Sequence, residues 1–296
     1  MLGLEEVAAA VDGRVEREAG FAAIGYLGHR GDALLVPFFA AEAAPALAAQ
    51  PNIAAVVTTE DLAALVPAGP GILVVRDAPM EALIRIHIAL VERHYYPAHP
   101  PSAFGADCAI DPQAHVAEAG VTMGDRVVVG PKAVVLPGTI LESDVHIGPG
   151  SVIGCDGFEV RPVGGRPLLV PHVGGVRVEA GARIFANCCV ARALYAGHTV
   201  LGRESTLDNL VAISHNVTVG ARCRMGAGVT IGGSSTIGDD VWIGPNATVS
   251  SRIAVGDRAS ISLGAVVTRD VAADARVSGN FAIAHERFLE HMRTVR

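Results

Sequence analysis

The residues of this chain best suited to chemistry lie between Leu207 and Val217. The imidazole of His215 can take a proton from a reacting group. Asp208 lies seven residues earlier, and a carboxylate beside an imidazole would fix its tautomer and raise its basicity. The same residues also fit a solvent-exposed histidine and an Asp208–Asn209 turn pair. Spacing alone leaves both interpretations open, so the surrounding elements must decide.

An aliphatic residue or methionine recurs at every sixth position through most of the chain after its first hundred residues. The register is unbroken from Leu201 to Val267, and it appears upstream from Met123 to Ile153 and from Val178 to Val190. A period of six is the hexapeptide signature of a β-helix, in which three hexads make one triangular coil around a shared core. We therefore predict a mainly β protein built on a left-handed parallel β-helix, the form of this fold that is used mostly by acyl- and acetyltransferases. His215, two residues after the core position Ile213, should lie at a corner or on the outer surface.

Three regions are expected along the chain. Residues 1–100 carry no hexad register and predict a small N-terminal α/β domain that could bind a nucleotide. Residues 101–275 predict the β-helix, and residues 276–296 predict a helical tail that caps its open end. The proline-rich stretch 96–101 should form a stiff linker between the first two regions. The expected strands are Ile53–Val57 and Ile72–Val75, and the expected helices are Leu4–Val11, Pro79–Tyr95 and Ala282–Arg296, the last with an apolar stripe of Phe281, Phe288, Leu289 and Met292.

Two irregularities interrupt the hexad register. An insertion rich in glycine and proline runs from Cys155 to Gly175, and we expect it to form a loop on the binding face of the β-helix. The spacing between Val190 and Leu201 is eleven residues, one short of two hexads. The insertion is the first place to look for substrate specificity.

Composition and charge exclude several classes of protein. A hydrophobic content of 50% with 18% charged residues suits a large packed core. The net charge of -7 argues against a nucleic-acid partner. The chain shows no apolar signal core and no apolar stretch of about 20 residues that could span a membrane. Its five cysteines lack zinc spacing, so we expect a reduced, cytoplasmic protein with no metal and no bound cofactor.

The segment from Leu207 to Val217 resembles the Leu-Asp-Asn-x-Val-x-Ile-Ala-His-Asn-Val signature of the UDP-3-O-acylglucosamine N-acyltransferases of the lipid A pathway. Ile153–Phe158 is similar to that family's Ile-Gly-x-Asp-Gly-Phe stretch, and the order of the three regions also matches. The resemblance implies transfer of an acyl group from a thioester of acyl carrier protein or coenzyme A to the amine of a nucleotide-linked amino sugar. It implies His215 as the general base, Asp208 as its orienting partner, and the backbone N–H of Gly233 facing the developing oxyanion. Gly233 also fits an ordinary turn glycine. The resemblance further implies substrate contacts from Asn209, Asn216, Asp156, Phe158, Arg192 and Arg252.

The chain departs from the family pattern at three places that are expected to touch the substrates. Ala191–Ala193, with Arg192 between them, stands where the family has Asp-Arg-Gly, and Ser251–Arg252 replaces a Gly-His pair. Leu35 stands where the family has a phenylalanine that contacts uracil, although Phe38 or Phe39 could take its place or belong to the core. Arg252 has a planar fork suited to a phosphate, but it also fits an exposed arginine of the β-helix. We therefore predict an acceptor other than the lipid A intermediate.

Three alternatives stay open at this point. The chain could be a true lipid A UDP-3-O-(3-hydroxyacyl)glucosamine N-acyltransferase, or a non-catalytic scaffold that loses nothing when His215 is removed. A γ-class carbonic anhydrase shares the β-helix, but it needs two histidines five residues apart, whereas His198 and His215 are 17 apart. Since one β-helix offers only a flat face, a catalytic His215 needs a second wall, and we expect a homotrimer with sites between subunits.

Overall fold

Short apolar runs in the first part of the chain form a five-stranded sheet. The computed structural model describes residues 1–29, 31–76, 78–279, 282 and 284–294, with the backbone alone at 288 and 292. The elements are β1 Leu2–Gly3, α1 Leu4–Ala8, β2 Arg14–Arg17, β3 Gly20–Phe21, β4 Ala23–Ile24, β5 Leu34–Pro37, α2 Ala44–Ala48, β6 Ile53–Thr58, α3 Glu60–Ala63, β7 Gly71–Val74 and α4 Pro79–Glu92, with 3-10 turns at Ala9–Val11 and Ala41–Ala43. The sheet order is β2-β7-β6-β5-β4, and only β2 runs antiparallel to its neighbour. The strands expected at β6 and β7 and the helices expected at α1 and α4 are confirmed, with α4 ending three residues before Tyr95.

The hexad region forms a left-handed parallel β-helix, as the periodicity and its family association predicted. Its strands are β8 Ala103–Phe104, β9 Ala109–Ile110, β10 His115–Val116, β11 Val121–Met123, β12 Val128–Val129, β13 Val134–Val135, β14 Thr139–Leu141, β15 His146–Ile147, β16 Val152–Cys155, β17 Val160–Val163, β18 Arg166–Leu169, β19 Gly175–Val178, β20 Arg183–Ile184, β21 Cys189–Ala191, β22 His198–Leu201, β23 Thr206–Leu207, β24 Ala212–Ile213, β25 Thr218–Val219, β26 Arg224–Met225, β27 Thr230–Ile231, β28 Thr236–Ile237, β29 Trp242–Ile243, β30 Thr248–Val249, β31 Ala254–Val255, β32 Ser260–Ile261, β33 Val266–Val267 and β34 Arg276–Val277. All but β17 and β18, which form an antiparallel hairpin, belong to three sheets of eight, eight and nine parallel strands.

The buried sixth residues stack one coil above the next. Ile213 pairs with Ile231 and Ile231 with Val249, so successive coils are 18 residues apart. These side chains are at most 2% exposed and belong to one core that runs through the β-helix. Most hexads add a second, smaller buried residue two positions before the sixth-position aliphatic, such as Val211 before Ile213 and Val229 before Ile231. Small aliphatic side chains therefore fill the narrow interior, and the residues between them face outward.

Both irregularities of the register occur at the same corner of the coil. After Ile153 the chain leaves the coil, forms the β17–β18 hairpin and returns at β19. After Val190 it leaves again and returns at β22, where Leu201 pairs with Val219 of the next coil. Since Val190 itself pairs with Ile213, the spacing of eleven is one hexad plus five inserted residues, not two hexads less one. The second insertion sends Leu194 and Tyr195 into the core of the N-terminal module.

The chain's last described helix is α5, His285–Thr294, within the helical tail expected from the sequence. All of its described side chains are exposed, including Leu289 at 42%, so the expected cap over the core is not seen in them. Phe281 and the side chains of Phe288 and Met292 lie outside the described residues. Among the helices of the described ranges, none has the length and apolarity to cross a membrane.

Candidate functional site

His215 lies at the corner that carries the two insertions. Strand β24 ends at Ile213, Ser214 follows it, and His215 begins the turn that leads to β25. One coil further the same corner position is occupied by Gly233, and the next coil places Ser251 and Arg252 there. Backbone hydrogen bonds connect the turns, from Ser234 N to His215 O at 2.9 Å and from Arg252 N to Gly233 O at 2.9 Å. The hexad repeat therefore aligns three residues that were expected to act together.

Hydrogen bonding fixes the tautomer of His215. Its Nδ1 lies 3.0 Å from Oδ1 of Asn216. That oxygen also accepts a hydrogen bond from the backbone N–H of Leu194, and the Asn216 N–H donates to Oγ1 of Thr199. Because Oδ1 is an acceptor, Nδ1 of His215 must carry the hydrogen and Nε2 keeps its lone pair. The ring is thus held in the form that a general base requires.

A buried carboxylate from the insertion faces this lone pair. Oε2 of Glu159 lies 3.6 Å from Nε2 of His215, and Glu159 is only 8% exposed. The other oxygen, Oε1, accepts a hydrogen bond from Nε of Arg161 at 2.7 Å. A carboxylate at this distance stabilises the imidazolium that forms when His215 takes a proton. While His215 is neutral, Arg161 supplies the positive partner of the buried carboxylate.

A second histidine packs edge-on against His215. The ring centroids of His172 and His215 are 5.6 Å apart and the planes lie at 73°. Nδ1 of His172 is 3.0 Å from the carbonyl oxygen of Val170, so it donates, and the buried Nε2 has no partner among the described residues. Burial lowers the pKa of His172, which keeps this ring neutral beside His215. A Cβ on Gly157 would lie 2.9 Å from the His215 ring and 3.0 Å from Nε2 of His172, so only glycine fits between them.

Gly233 meets the other side of the His215 ring. A Cβ built on Gly233 would lie 2.8 Å from Nε2 and 2.9 Å from Cε1 of His215, closer than real Cβ contacts. No acceptor for the Gly233 N–H occurs among the described residues. The lone pair of the candidate base and an unused backbone donor therefore lie side by side, which is the pair of groups that acyl transfer uses.

The N-terminal module covers this corner. The hydroxyl of Tyr195 donates to the hydroxyl of Tyr26 at 3.1 Å, and their rings pack at 79°. The guanidinium of Arg252 lies 5.9 Å from the centre of the Tyr26 ring. Burial, with smaller contributions from His215 and Arg252, lowers the pKa of His29 to about 4. The loop Tyr26–His29 thus forms the wall that a flat β-helix face lacks.

Three cavities lie around this corner, lined by neighbours of His215 such as Asn216, Ser234 and His172 and not by His215 itself. One, of about 360 Å³, is lined by Tyr26, His29, Phe39, Met80, Ser234 and Arg252, among others. A neighbouring one, of about 300 Å³, shares His29 and Ser234 and continues to Asn216, Arg177 and His198. A third, of about 600 Å³, lies under the linker 96–101 and is lined in part by His172 and Arg192. The lining is aromatic with several cationic groups, which suits a ligand that carries a ring and an anionic group.

The depressed pKa of His29 predicts a loss of stability in mild acid. In the unfolded chain this imidazole takes a proton near pH 6.5, whereas the folded state resists protonation down to about pH 4. The stability contribution is therefore fully present above pH 6.5 and is lost as the pH falls toward 4. We expect the urea concentration at the unfolding midpoint to decrease when the pH is lowered from 7 to 5. It should decrease less in His29→Asn, because the asparagine side chain takes no proton in this range.

The carboxyl groups of Glu81, Asp144, Asp240 and Asp274 have lowered pKa values and lose their protons below this pH range. Burial also lowers the pKa values of His87, His172 and His198, so these histidines contribute to the decrease in every variant, and the test is the difference between the parent chain and His29→Asn. His146→Asn is the matched control, since His146 is exposed on another sheet. If the urea midpoint decreased equally in the parent chain and in His29→Asn, His29 would not be the group responsible for the loss of stability.

The predicted site residues fall into separate groups. His215, Asn216, Gly233 and Arg252 come together at one corner, as described above. Asp208 and Asn209 lie at the previous corner of the same coil, beyond β24. There, Oδ1 of Asp208 accepts hydrogen bonds from the backbone N–H and the Nδ2 of Asn209. Within one chain Asp208 is therefore not the orienting partner of His215, because one hexad step turns the chain onto another face of the β-helix. Asn216 and Glu159 are the residues that lie against the two ring nitrogens of His215.

The remaining predicted residues lie around the insertion. Asp156 and Phe158 are exposed, Phe158 at 88%. Arg192 lies in the second insertion; its guanidinium donates to the carbonyl of Pro137, and its buried Nε has no partner among the described residues. We find no contact in one chain that brings Arg192 to His215.

Two of the three departures from the family pattern are buried. Leu35 is 0% exposed in the core of the N-terminal module, and Ala191 is 5% exposed. The expectation that they touch a substrate is therefore wrong for this fold. Leu35 lies on β5, whose residues are all buried and which has a neighbouring strand on each side, and Ala191 is buried at the end of β21, opposite Cys155. Phe38 is also core, whereas Phe39 is 56% exposed and lines the first cavity. Of the departures, Arg252 alone remains as a candidate for ligand contact.

Glu159, His172 and the Tyr26–His29 loop were missed by sequence reasoning. The sequence points to the insertion as the source of specificity, but none of its polar residues stands at a spacing that relates it to His215. Their proximity depends on how the hairpin folds back over the corner, which a periodic pattern does not encode.

The β-helix matches the family model for bacterial transferase hexapeptide (six repeats) at residues 120–155, 198–233 and 234–269. These three stretches of the chain therefore carry hexapeptide repeats of this kind. It is 43% identical over 83 residues to UDP-3-O-acylglucosamine N-acyltransferase 2 of Nitrobacter winogradskyi, a match covering 28% of this chain and 24% of that protein. It is 32% identical over 178 residues to the UDP-3-O-acylglucosamine N-acyltransferase of Desulfotalea psychrophila, covering 51% of each chain. The resemblance inferred from the His215 signature is confirmed.

These matches are partial. The hexapeptide-repeat chain spans about a quarter to a half of the length of these curated relatives. Among solved structures, a UDP-N-acetylglucosamine acyltransferase from Bacteroides fragilis 9343 matches with a TM-score of 0.51 at 20% identity, covering 60% of this chain and 66% of that one. This similarity supports the fold alone.

Proposed function

We propose that the chain is an N-acyltransferase that moves an acyl group from a thioester to the amine of a nucleotide-linked amino sugar. The observation that carries the proposal is the pairing of the free Nε2 lone pair of His215 with the unused N–H of Gly233 at one corner. The relatives named for the same reaction class support it. The donor is an acyl thioester of acyl carrier protein or coenzyme A, a co-substrate and not a resident cofactor.

The chemistry follows from the geometry of the corner. The amine attacks the thioester carbonyl while Nε2 of His215 takes the amine proton. The carbonyl oxygen becomes negative and receives a hydrogen bond from the Gly233 N–H. Glu159 at 3.6 Å stabilises the imidazolium, which then returns the proton to the departing sulfur. The buried position of Glu159 strengthens this interaction, since water screens it poorly.

The cavity under the N-terminal module is the proposed place for the acceptor's nucleotide. Phe39 and Tyr26 offer aromatic surface for a base, and Arg252 offers a charge for a phosphate. Because Arg252 replaces a histidine of the family pattern in this lining, we propose an acceptor that differs from the lipid A intermediate.

A direct assay tests the acceptor. Purified protein is offered UDP-3-O-acylglucosamine and other nucleotide-linked amino sugars, each with short and long acyl donors, and amide product is measured by mass spectrometry. We expect faster transfer to an acceptor other than the lipid A intermediate. Clear preference for that intermediate with a long 3-hydroxyacyl carrier protein would make this a true lipid A enzyme, and no transfer to any acceptor would favour a scaffold.

Replacing Glu159 should affect the reaction more than replacing Asp208. Glu159→Gln keeps the shape but removes the charge that stabilises the imidazolium, so we expect about a tenfold loss of turnover, equivalent to about 1.4 kcal/mol. Asp208→Asn should change turnover less, because its carboxylate accepts hydrogen bonds from Asn209 and from no other residue of the described ranges. Steady-state kinetics of both variants decide the order. A larger loss in Asp208→Asn would return the orienting role to Asp208, acting from another subunit.

The homotrimer and the cytoplasmic location stay predictions. A trimer is expected because a flat face of the β-helix needs a second wall to enclose the substrates. In this chain the insertion and the N-terminal module supply part of that wall, so a neighbouring subunit would complete the site around Asp208 and Asn209 instead of enclosing His215 alone.

A further inference from the structure

Two cysteines lie side by side on the outer face of adjacent coils. Sγ of Cys155 and Sγ of Cys189 are 3.1 Å apart. In the paired strands β16 and β21, Val152 lies opposite Cys189 and Ile153 opposite Val190, after which the register shifts. The shift occurs at Gly154, whose φ is +90°, and it turns the side chain of Cys155 outward, toward Cys189. The bulge therefore creates the thiol pair.

The two thiols differ in exposure and reactivity. Cys189 is exposed and Cys155 is half-buried. The hydrogen bond between them lowers the pKa of Cys189 to about 7, and the same bond, with burial, raises the pKa of Cys155. A solvent-accessible thiolate beside a protonated thiol is the arrangement of an oxidisable cysteine with its resolving partner.

The neighbouring cysteines lack these properties. Cys188 and Cys223 are buried in the core of the β-helix, and burial raises the pKa of each thiol. Their sulfur atoms donate to backbone carbonyls at 3.0 Å, Cys188 to Asp208 and Cys223 to Gly238. They serve as unreactive references within the same chain.

We propose that Cys189 and Cys155 form a site of reversible oxidation by a hydroperoxide. The Cys189 thiolate attacks a peroxide oxygen, the O–O bond breaks, and the sulfur becomes a sulfenic acid while a proton and the leaving oxygen form water or an alcohol. Cys155 then attacks that sulfur, an S–S bond forms, and a second water leaves. The two thiols are oxidised by two electrons and the hydroperoxide is reduced by two, so the step balances. A dithiol reductant restores the pair by exchange.

Oxidation at this place would reach the candidate site. The sulfur atoms must approach from 3.1 Å to about 2.05 Å, which moves Cys155 toward the coil. Asp156 and Gly157 follow directly, and Gly157 lies against the rings of His215 and His172. We expect the disulfide to displace this contact and slow acyl transfer several-fold. This consequence rests on the proposed function, whereas disulfide formation does not.

The test uses the reduced full chain. It is treated with an equivalent of hydrogen peroxide, alkylated, digested without reduction and analysed by mass spectrometry. We expect a cross-link between the peptides that hold Cys155 and Cys189, with Cys108 outside the link and Cys188 and Cys223 alkylated only once the chain is unfolded. Trypsin leaves Cys188 and Cys189 on one peptide, so the link must persist in Cys188→Ala and vanish in Cys189→Ser. Cys155→Ser should instead trap a dimedone-reactive sulfenic acid on Cys189.

Two results would overturn the site: both thiols staying reduced at that dose, or a link that survives in Cys189→Ser. The activity readout is separate. An oxidised chain that keeps its full transfer rate would overturn the coupling to His215. Absence of transfer in the reduced chain would overturn the proposed function and leave the oxidation result standing.

Discussion

His215→Ala should lower turnover by roughly 10²–10⁴-fold, the usual contribution of a general base. The hydrogen-bonded tautomer leaves Nε2 as the proton acceptor at this corner, and alanine provides none. The expected cost in stability is small, about 1 kcal/mol, because one hydrogen bond to Asn216 is lost and the aliphatic core is untouched. Turnover with a saturating acceptor and the melting temperature, measured on the same preparation, test both parts.

His146→Ala is the matched control for that measurement. His146 is exposed on β15, in a different sheet of the same β-helix, and its removal should leave turnover unchanged. Near-normal turnover in His215→Ala would mean that His215 is not the base, and the scaffold interpretation would gain support.

Gly233→Ala should produce the second large effect. The new Cβ would lie 2.8 Å from Nε2 of His215, so the ring has to turn away from its position. The methyl group would also crowd the path of a thioester to the Gly233 N–H. Loss of such a donor costs about 2.7–4 kcal/mol in other enzymes, which corresponds to a 10²–10³-fold decrease in turnover. Donor binding and melting temperature are measured separately to distinguish a blocked site from a damaged coil.

The coil itself provides the control for Gly233. Alanine occupies the equivalent turn position at Ala221 and Ala227, so a Cβ there is compatible with the hexad turn. Ala227→Gly, the reverse change at another corner, should leave turnover unaffected. If Gly233→Ala lowered the melting temperature while donor binding and turnover per folded molecule were kept, Gly233 would be an ordinary turn residue.

The insertions give the hexapeptide-repeat corner its chemistry. A regular coil would leave His215 on an open face with a neutral partner, Asn216. The first insertion adds Glu159 and His172, and the second adds Leu194, whose N–H holds the Asn216 oxygen, and Tyr195, which joins the N-terminal module. The side chains of the two insertions therefore surround His215 with the charged and hydrogen-bonding groups that the hexad repeat does not provide.

The β-helix, its coil length and the corner position of His215 could be predicted from the sequence, because a large aliphatic residue at every sixth position is a local pattern typical of this fold. The sequence also indicated the family, since the Leu207–Val217 signature is contiguous. Only the tertiary structure showed that Glu159 and not Asp208 faces His215, that Leu35 is core, and that Cys155 meets Cys189. These contacts join segments that leave the hexad register and return to it. Their distances depend on a hairpin, a bulge and the packing of the N-terminal module, and none of these features has a sequence repeat from which it could be predicted.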